Sequence, residues 1–390
     1  FIDSFSILIG YSSVPYTLNI ILPVGISFYT FQTLSYTIDI YQNKCNPAKS
    51  WVDFSNFVAF FPQLVAGPIE RAKYLIPQIE KCERATKNQI FSAFYLLFLG
   101  YVKKVLISDN IAPTIDIYFE NFIELSSIYL LSGLMLFSIQ IYFDFSGYSD
   151  IARGLAKLMG IDLMVNFKQP YFASSPSEFW KRWHISLSTW LRDYVYIPIG
   201  GNRRSFIRTL YNLMITMLLG GLWHGASWNF VLWGGLNGLG IVVYKIWRRF
   251  SPWENKARWW NRIWGIILTF NFVSFTRIWF RSGSANSWED LDEGHNILSE
   301  WFTANDMLYQ LIYDFNWGLI SDVFTAYYKV ILVITLGFII HFIPENIKIW
   351  YRNYFAKQHI SVQILTSLLV VFLIYQIAST SLQPFIYFQF

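Results

Sequence analysis

Leu218-Leu-Gly-Gly-Leu-Trp-His-Gly-Ala-Ser-Trp-Asn-Phe-Val-Leu-Trp233 sets one ionisable side chain, His224, in an otherwise apolar, glycine-rich run. The stretch joins two apolar segments, Thr209 to Gly221 and Ser227 to Trp247, into a hairpin with His224 near its turn. An ionisable group in hydrocarbon is costly unless it lines a cavity or meets a partner, so His224 is a functional candidate. The plainer alternative is an interfacial or packing histidine.

Working outward, the chain is 54% hydrophobic, 20% aromatic and only 14% charged over 390 residues, with a mean hydropathy of +0.35. Those values exclude an ordinary soluble domain and describe an all-α polytopic membrane protein, read as a single transmembrane domain over residues 1–390. Nothing in the sequence points to nucleic acid. The 17 Trp and 25 Tyr fit aromatic belts at two interfaces, and equally aromatic walls around a buried tunnel. Cys45 and Cys82 lie in basic loops without ligands at metal-site spacing, so no metal is expected. The chain opens at Phe1 in apolar sequence, which leads us to expect preceding spans.

Taken in order, Val14 to Tyr41 reads as a kinked span with Pro23, Gly25 and Asp39, and Phe54 to Gly67 as a re-entrant piece. Ile69 to Asn88 carries Arg71, Lys73, Lys81, Arg84 and Lys87 against Glu70, Glu80 and Glu83, a cytoplasmic signature. Gln89 to Ser108 reads as a span, with Lys103 and Lys104 snorkelling from its outer end, followed by an acidic outer loop from Asp109 to Leu125. Ser126 to Phe143 returns inward, and the basic segment from Asp144 to Arg208 follows. After the hairpin, Lys245, Arg248, Arg249, Lys256, Arg258 and Arg262 face only Glu254 in an inside loop. Ile263 to Phe280 crosses to an acidic loop holding Glu289, Asp290, Asp292, Glu293, Glu300, Asp306 and Asp314. Tyr328 to Ile343 and Ile360 to Ile377 cross again around Lys348, Arg352 and Lys357. Loop charge alternates with the spans, giving about eight of them plus re-entrant and interfacial helices.

Upstream of His224, Ser175-Pro-Ser-Glu178 writes a helix start: an N-cap, a proline in the first turn and an acid three residues on. Trp180, Trp183, His184, Leu187, Trp190 and Leu191 then recur at helical spacing, with Lys181, Arg182, Ser188 and Arg192 largely elsewhere. This predicts one amphipathic basic helix in the interface, turning His184 inward. Lys181, Arg182 and Arg192 are candidates for holding a phosphate-bearing donor; contact with lipid headgroups is the alternative. A histidine on an interfacial helix and another at an intramembrane turn suit acyl transfer, in which a thioester needs alignment, a base for the incoming hydroxyl and donors for the oxyanion. An apolar surround favours the neutral imidazole that such a base requires. Gly221 to Gly225 and Gly234 to Gly238 stand at the spacing of close helix packing.

Four stretches resemble a known family: Phe61-Pro-Gln-Leu-Val-Ala-Gly-Pro-Ile-Glu70, Phe143-Asp-Phe-Ser-Gly-Tyr-Ser-Asp150, Phe179 to Leu187 running on to Tyr196-Ile-Pro-Ile-Gly-Gly201, and Gly220 to Trp228. They are similar to motifs of the membrane-bound O-acyltransferases, in the bacterial branch of the alginate O-acetylation membrane subunit, and Phe385 to Phe390 resembles the family's carboxyl terminus. The resemblance implies a helical fold around a central funnel and tunnel in the bacterial cytoplasmic membrane, with His224 matching the catalytic histidine and His184 a second, more variable polar position. It implies no bound cofactor: acetyl-CoA or an acyl-carrier thioester would be the donor substrate, arriving from the cytoplasm. The acceptor would be an exopolysaccharide or cell-wall polymer on the outer side, reached with an extracytoplasmic acetyltransferase partner. Two rivals stay open here. A D-alanyl transferase for teichoic acids would differ in donor, and a transporter of acyl groups or polysaccharide also uses broken helices, though no paired inverted halves are visible.

Overall fold

The computed structural model describes residues 25–65, 67–121, 126–225, 227–251, 259–283, 297–313 and 315–377. Among these, every regular element is a helix, as composition requires. The first four are α1 (Ile26–Tyr41), α2 (Trp51–Val58), α3 (Phe61–Leu64) and α4 (Ala72–Lys81). The short α2 and α3, punctuated by Pro62, occupy the segment expected to be re-entrant, and neither is long enough to cross a bilayer.

The centre of the molecule differs from the reading of loops by charge. A capping box starts α5 (Lys87–Tyr101): the Thr86 hydroxyl accepts from the Gln89 N–H, and the Gln89 side chain accepts from the Thr86 N–H. The helix then runs without a break through a π-helical segment (Val102–Ser108) into α6 (Asp109–Glu120). The acidic outer loop expected from Asp109 to Leu125 is therefore helical as far as Glu120, and residues 122–125 lie outside the described set. Its partner α7 (Ser127–Leu158) continues 15 residues past the expected end at Phe143. One cause explains both corrections. Lys104 bridges Asp109 and Asp144 at 2.8 Å each, and Lys103 reaches Asp150 at 2.5 Å, so the charges that read as loop markers neutralise one another between two helices. Lys103 and Lys104 are paired inside the protein and do not snorkel. The two helices cross with Gly100 against Gly147; a Cβ on Gly100 would lie 2.7 Å from the Gly147 carbonyl oxygen, so no larger residue fits there.

Most of α7 is buried, and its aromatic and aliphatic side chains form the core around which the rest packs. The short helices α8 (Pro176–Arg182) and α9 (Ile185–Leu191) precede the hairpin α10 (Phe206–His224) and α11 (Trp228–Phe250), which α12 (Trp259–Gly283) joins. The hairpin is close-packed: a Cβ on Gly221 would lie 2.3 Å from the Phe230 carbonyl oxygen. Beyond lie α13 (Ile297–Tyr313), α14 (Ile320–Ala326), α15 (Tyr328–Phe342), α16 (Glu345–Ala356) and α17 (Ile360–Ile377). Among the described residues five helices are long and apolar enough to span, and six if the pair Trp317–Ala326 and Tyr328–Phe342, bent by 85°, counts as one crossing. The span expected at Tyr328 to Ile343 is thus half of a sharply bent unit. Several sequence features lie outside the described residues: 14–24 of the first span, Glu254, Lys256 and Arg258 of the inside loop, Glu289 to Glu293 and Asp314 of the acidic loop, and the terminal Phe385 to Phe390.

Candidate active site

His224 is the last residue of α10 and reaches into a wall of aromatic rings. Its imidazole lies 4.8 Å from Trp223, 4.9 Å edge-on from Trp233 and 5.1 Å from Phe280, centroid to centroid. The residue as a whole is partly buried. The turn that places it closes with Ser227, whose hydroxyl caps α11 by accepting the Asn229 N–H at 3.2 Å.

His184 arrives by a route that periodicity did not show. The expected single helix breaks: α8 ends at Arg182, Trp183 is extended, and His184 takes the left-handed conformation at φ 42° before α9 begins. The break is built by Asn166 in the chain after α7. Its carbonyl accepts the Ile185 N–H at 2.9 Å, and its side-chain oxygen accepts the Ser186 N–H at 3.2 Å and the Ser186 hydroxyl at 2.9 Å. The free amides at the start of α9 are thereby satisfied from another segment. Released from the helix, His184 is 1% exposed and packs edge-on against Phe145 at 4.7 Å, with no hydrogen-bond partner for Nε2 among the described residues. Trp223 lies 6.1 Å from it, so the two imidazoles flank one indole. The structure brings the two sequence-identified histidines into one site.

The three cations predicted on this segment separate. Lys181 and Arg192 line a cavity of about 680 Å³, together with Lys245, Arg248 and Arg249 at the end of α11. Arg182 does not line it: the guanidinium pairs with Glu178 at 2.8 Å and donates to the Lys168 carbonyl. Burial works against the Glu178 anion, but the Ser174 N–H and hydroxyl and the Arg182 guanidinium together hold its carboxyl below the usual range. The rest of the cavity wall includes the apolar side chains of Trp180, Leu191, Met217 and Ile241. Trp180 stands 5.8 Å from Trp233, which touches His224, so the aromatic wall of the site continues the wall of the cavity. Met217 is seven residues before His224 on α10, about 10 Å at helical rise.

Sequence reasoning missed Arg277. It is the only charge between Ile263 and Phe280, and that isolation was the available signal, since a lone cation in a span asks for a reason. The side chain is 2% exposed, with its guanidinium 5.1 Å over the Trp183 ring and 5.3 Å over that of Phe280. A third buried histidine, His341, packs against Tyr142 at 4.9 Å, and its ring contacts do not include the pair.

A cation-lined cavity and, behind its aromatic wall, two imidazoles around one indole can bind a phosphate-bearing thioester and deprotonate a hydroxyl beside it. Comparison with known proteins agrees with that chemistry. A peptidoglycan O-acetyltransferase of Helicobacter pylori is 36% identical over 301 residues, covering 70% of this chain and 56% of that protein. A probable alginate O-acetylase of Azotobacter vinelandii is 46% identical over 225 residues, 58% of this chain and 45% of that protein. A teichoic acid D-alanyltransferase of Streptococcus thermophilus is 28% identical over 291 residues, 67% of this chain and 69% of that protein. The chain spans about half the length of the alginate and peptidoglycan relatives it matches. The model of the membrane-bound O-acyltransferase family matches residues 48–283, a stretch that holds both histidines, Arg277 and the cationic mouth; this multi-pass membrane chain belongs to that family.

Proposed function

We propose that this chain carries the acyl-transfer site of a membrane O-acetyltransferase that modifies an extracytoplasmic polysaccharide. One observation carries the reading: His184 and His224 flank Trp223, and Trp233, which His224 meets edge-on, packs against Trp180 in the wall of a cavity lined by five cations. The donor is acetyl-CoA or an acyl-carrier thioester, its phosphates held by Lys181, Arg192, Lys245, Arg248 and Arg249. The passage takes the pantetheine arm and aligns the thioester with the histidines. His224 accepts the proton of the acceptor hydroxyl as that oxygen adds to the carbonyl carbon. The tetrahedral intermediate then expels the thiolate, which recovers the proton from the imidazolium, leaving an ester and a free thiol. His184 orients the donor or the base.

The names of the relatives support hydroxyls of a polymer as acceptor: alginate and peptidoglycan at 46% and 36% identity, with the D-alanyl relative more distant at 28%. The setting we assign is the bacterial cytoplasmic membrane, with the cationic mouth inside and an extracytoplasmic acetyltransferase partner completing delivery. The test is ester formation by the full-length protein in lipid nanodiscs, given labelled acetyl-CoA and, separately, a charged carrier protein. Acetyl ester from the first supports the reading. Product only from a D-alanyl carrier would convert it to the teichoic-acid reaction. Movement of label across proteoliposomes without any ester would make the protein a transporter.

A further inference from the structure

We infer that Trp223 is a catalytic residue of this site, its indole N–H donating to the thioester carbonyl oxygen and to the oxyanion that forms there. The inference rests on the acyl-transfer reading and adds the part which that reading lacks. Two imidazoles supply a base and an orienting group, and the oxygen that becomes negative still needs a donor. Preorganised donors at that oxygen are commonly the largest contribution to acyl transfer.

Hydrogen bonding selects Trp223. An indole N–H can only donate, and a buried one ordinarily has an acceptor, as at Trp190, whose Nε1 donates to the Phe31 carbonyl at 3.0 Å. Nε1 of Trp223 is shut off from solvent and meets no acceptor among the described residues. Trp180 and Trp279 share that property, but of the three it is the Trp223 ring that touches both imidazoles, 4.8 Å from His224 and 6.1 Å from His184 between centres. Across the second of those contacts His184 is 1% exposed, and its Nε2 is likewise without a partner among the described residues. Two touching rings that each leave a buried nitrogen unused are costly to keep, and a polar group of the substrate arriving between them removes the cost. Spacing agrees. A reacting carbonyl sits about 3 Å from its oxyanion donor while the base holds the attacking hydroxyl, so donor and base stand a few ångströms apart, as Trp223 and His224 do. The indole is also held in place: Phe31 stacks on it at 5.4 Å with 23° between the planes, and Phe28 meets it edge-on at 5.7 Å. A donor fixed beforehand needs no reorganisation when charge develops. In the reaction, the carbonyl π pair moves onto oxygen as the hydroxyl adds and His224 takes the hydroxyl proton. The indole N–H stabilises the oxyanion, and the pair returns as the carbon–sulfur bond breaks and the thiolate leaves with the proton from the imidazolium. The indole keeps its own proton throughout.

The test is single-turnover acetyl transfer by full-length protein in nanodiscs, with acetyl-CoA as the probe, comparing Trp223→Phe and Trp223→benzothienylalanine with the parent. The second substitution puts sulfur in place of the N–H and keeps the bicyclic shape, so it removes the donor and little else. Its expected result is a fall in the rate of about 10²–10³-fold with donor KM within about threefold of the parent and the same unfolding temperature, the loss seen when one oxyanion donor is removed. Trp223→Phe should lose at least as much; if it does not insert, the benzothienylalanine variant decides alone. A tryptophan that only packs against Phe28, Phe31 and the imidazoles would be replaced by benzothienylalanine without loss, so a parental rate in that variant would overturn the assignment. A loss confined to donor KM, or one that follows only the amount of folded protein, would overturn it too. A parent that makes no ester from any thioester would instead take down the acyl-transfer reading itself.

Discussion

Replacing His224 by alanine removes the proton acceptor but little of the site, because Trp223, Trp233 and Phe280 stand without it. General-base assistance is worth roughly 10²–10⁴-fold, so His224→Ala should insert normally and lose acyl transfer by about that factor. Gln should not rescue it, since an amide cannot take up the proton. His184→Ala should lose less, and His184→Asn should recover some of the rate by keeping a polar group beside Trp223. Near-parental transfer by inserted His224→Ala would end its assignment as base. A different residue sets a pH dependence of stability. Glu70 lies in the chain before α4, outside the spans, 4% exposed; burial pushes its carboxyl up to about 7, against the lowering pull of the Met164 N–H and of Arg71 and Arg153. A folded-state value above the unfolded one means that the protonated form favours the fold. The contribution is full below about pH 4.5 and is lost as pH rises through 7, a swing of roughly 3 kcal/mol at most. Glu70→Gln keeps an acceptor for Met164 and cannot ionise. It should flatten melting temperature against pH between 5 and 8 and be the more stable form at pH 8; parallel curves for both proteins would refute this.

At the scale of elements, what was legible in the sequence divides along a physical line. The hairpin of α10 and α11 was readable because its signals are local: an apolar run, a glycine-rich turn and a histidine where the run ends. The continuation of α5 into α6, the length of α7 and the break at His184 were not, because each is decided by a partner distant in sequence. Lys104 looks like a helix end until Asp144 is opposite it, and His184 looks helical until Asn166 claims the amides that follow it. Arg277 was readable as an isolated charge, but its neighbours Trp183 and Phe280 were not. The ion pairs make their own prediction. Asp144 is 2% exposed, and removing one partner of a buried pair typically costs about 3–5 kcal/mol. Lys104→Met should therefore lower the unfolding temperature markedly in a fixed detergent, and adding Asp144→Asn should recover part of the loss. An equally low double variant would mean that the lysine acts through Asp109 alone.

Across the whole molecule, charge is arranged by depth. Lys181, Arg192, Lys245, Arg248 and Arg249 gather at one end, while His184, His224 and Arg277 stand deep among aromatic rings. On the proposed reading the cationic cavity faces the cytoplasm, the side from which a thioester donor would arrive. The arrangement separates binding from chemistry, and substitutions should separate the same way. Lys245→Glu places an anion at the mouth without touching the histidines, so donor KM should rise about tenfold or more, the worth of a lost charge-assisted contact, while the single-turnover rate at saturating donor changes little. Raising the ionic strength should weaken donor binding to the parent in the same direction, because an exposed mouth is screened. Arg182→Glu should behave otherwise. Its partner is Glu178, so reversal sets two carboxylates together on α8 and loosens the turn that presents His184, lowering the rate and the stability more than the donor affinity. Donor KM measured for both variants decides the point: if Lys245→Glu leaves it unchanged, the basic cluster is a lipid-facing surface and the donor enters elsewhere.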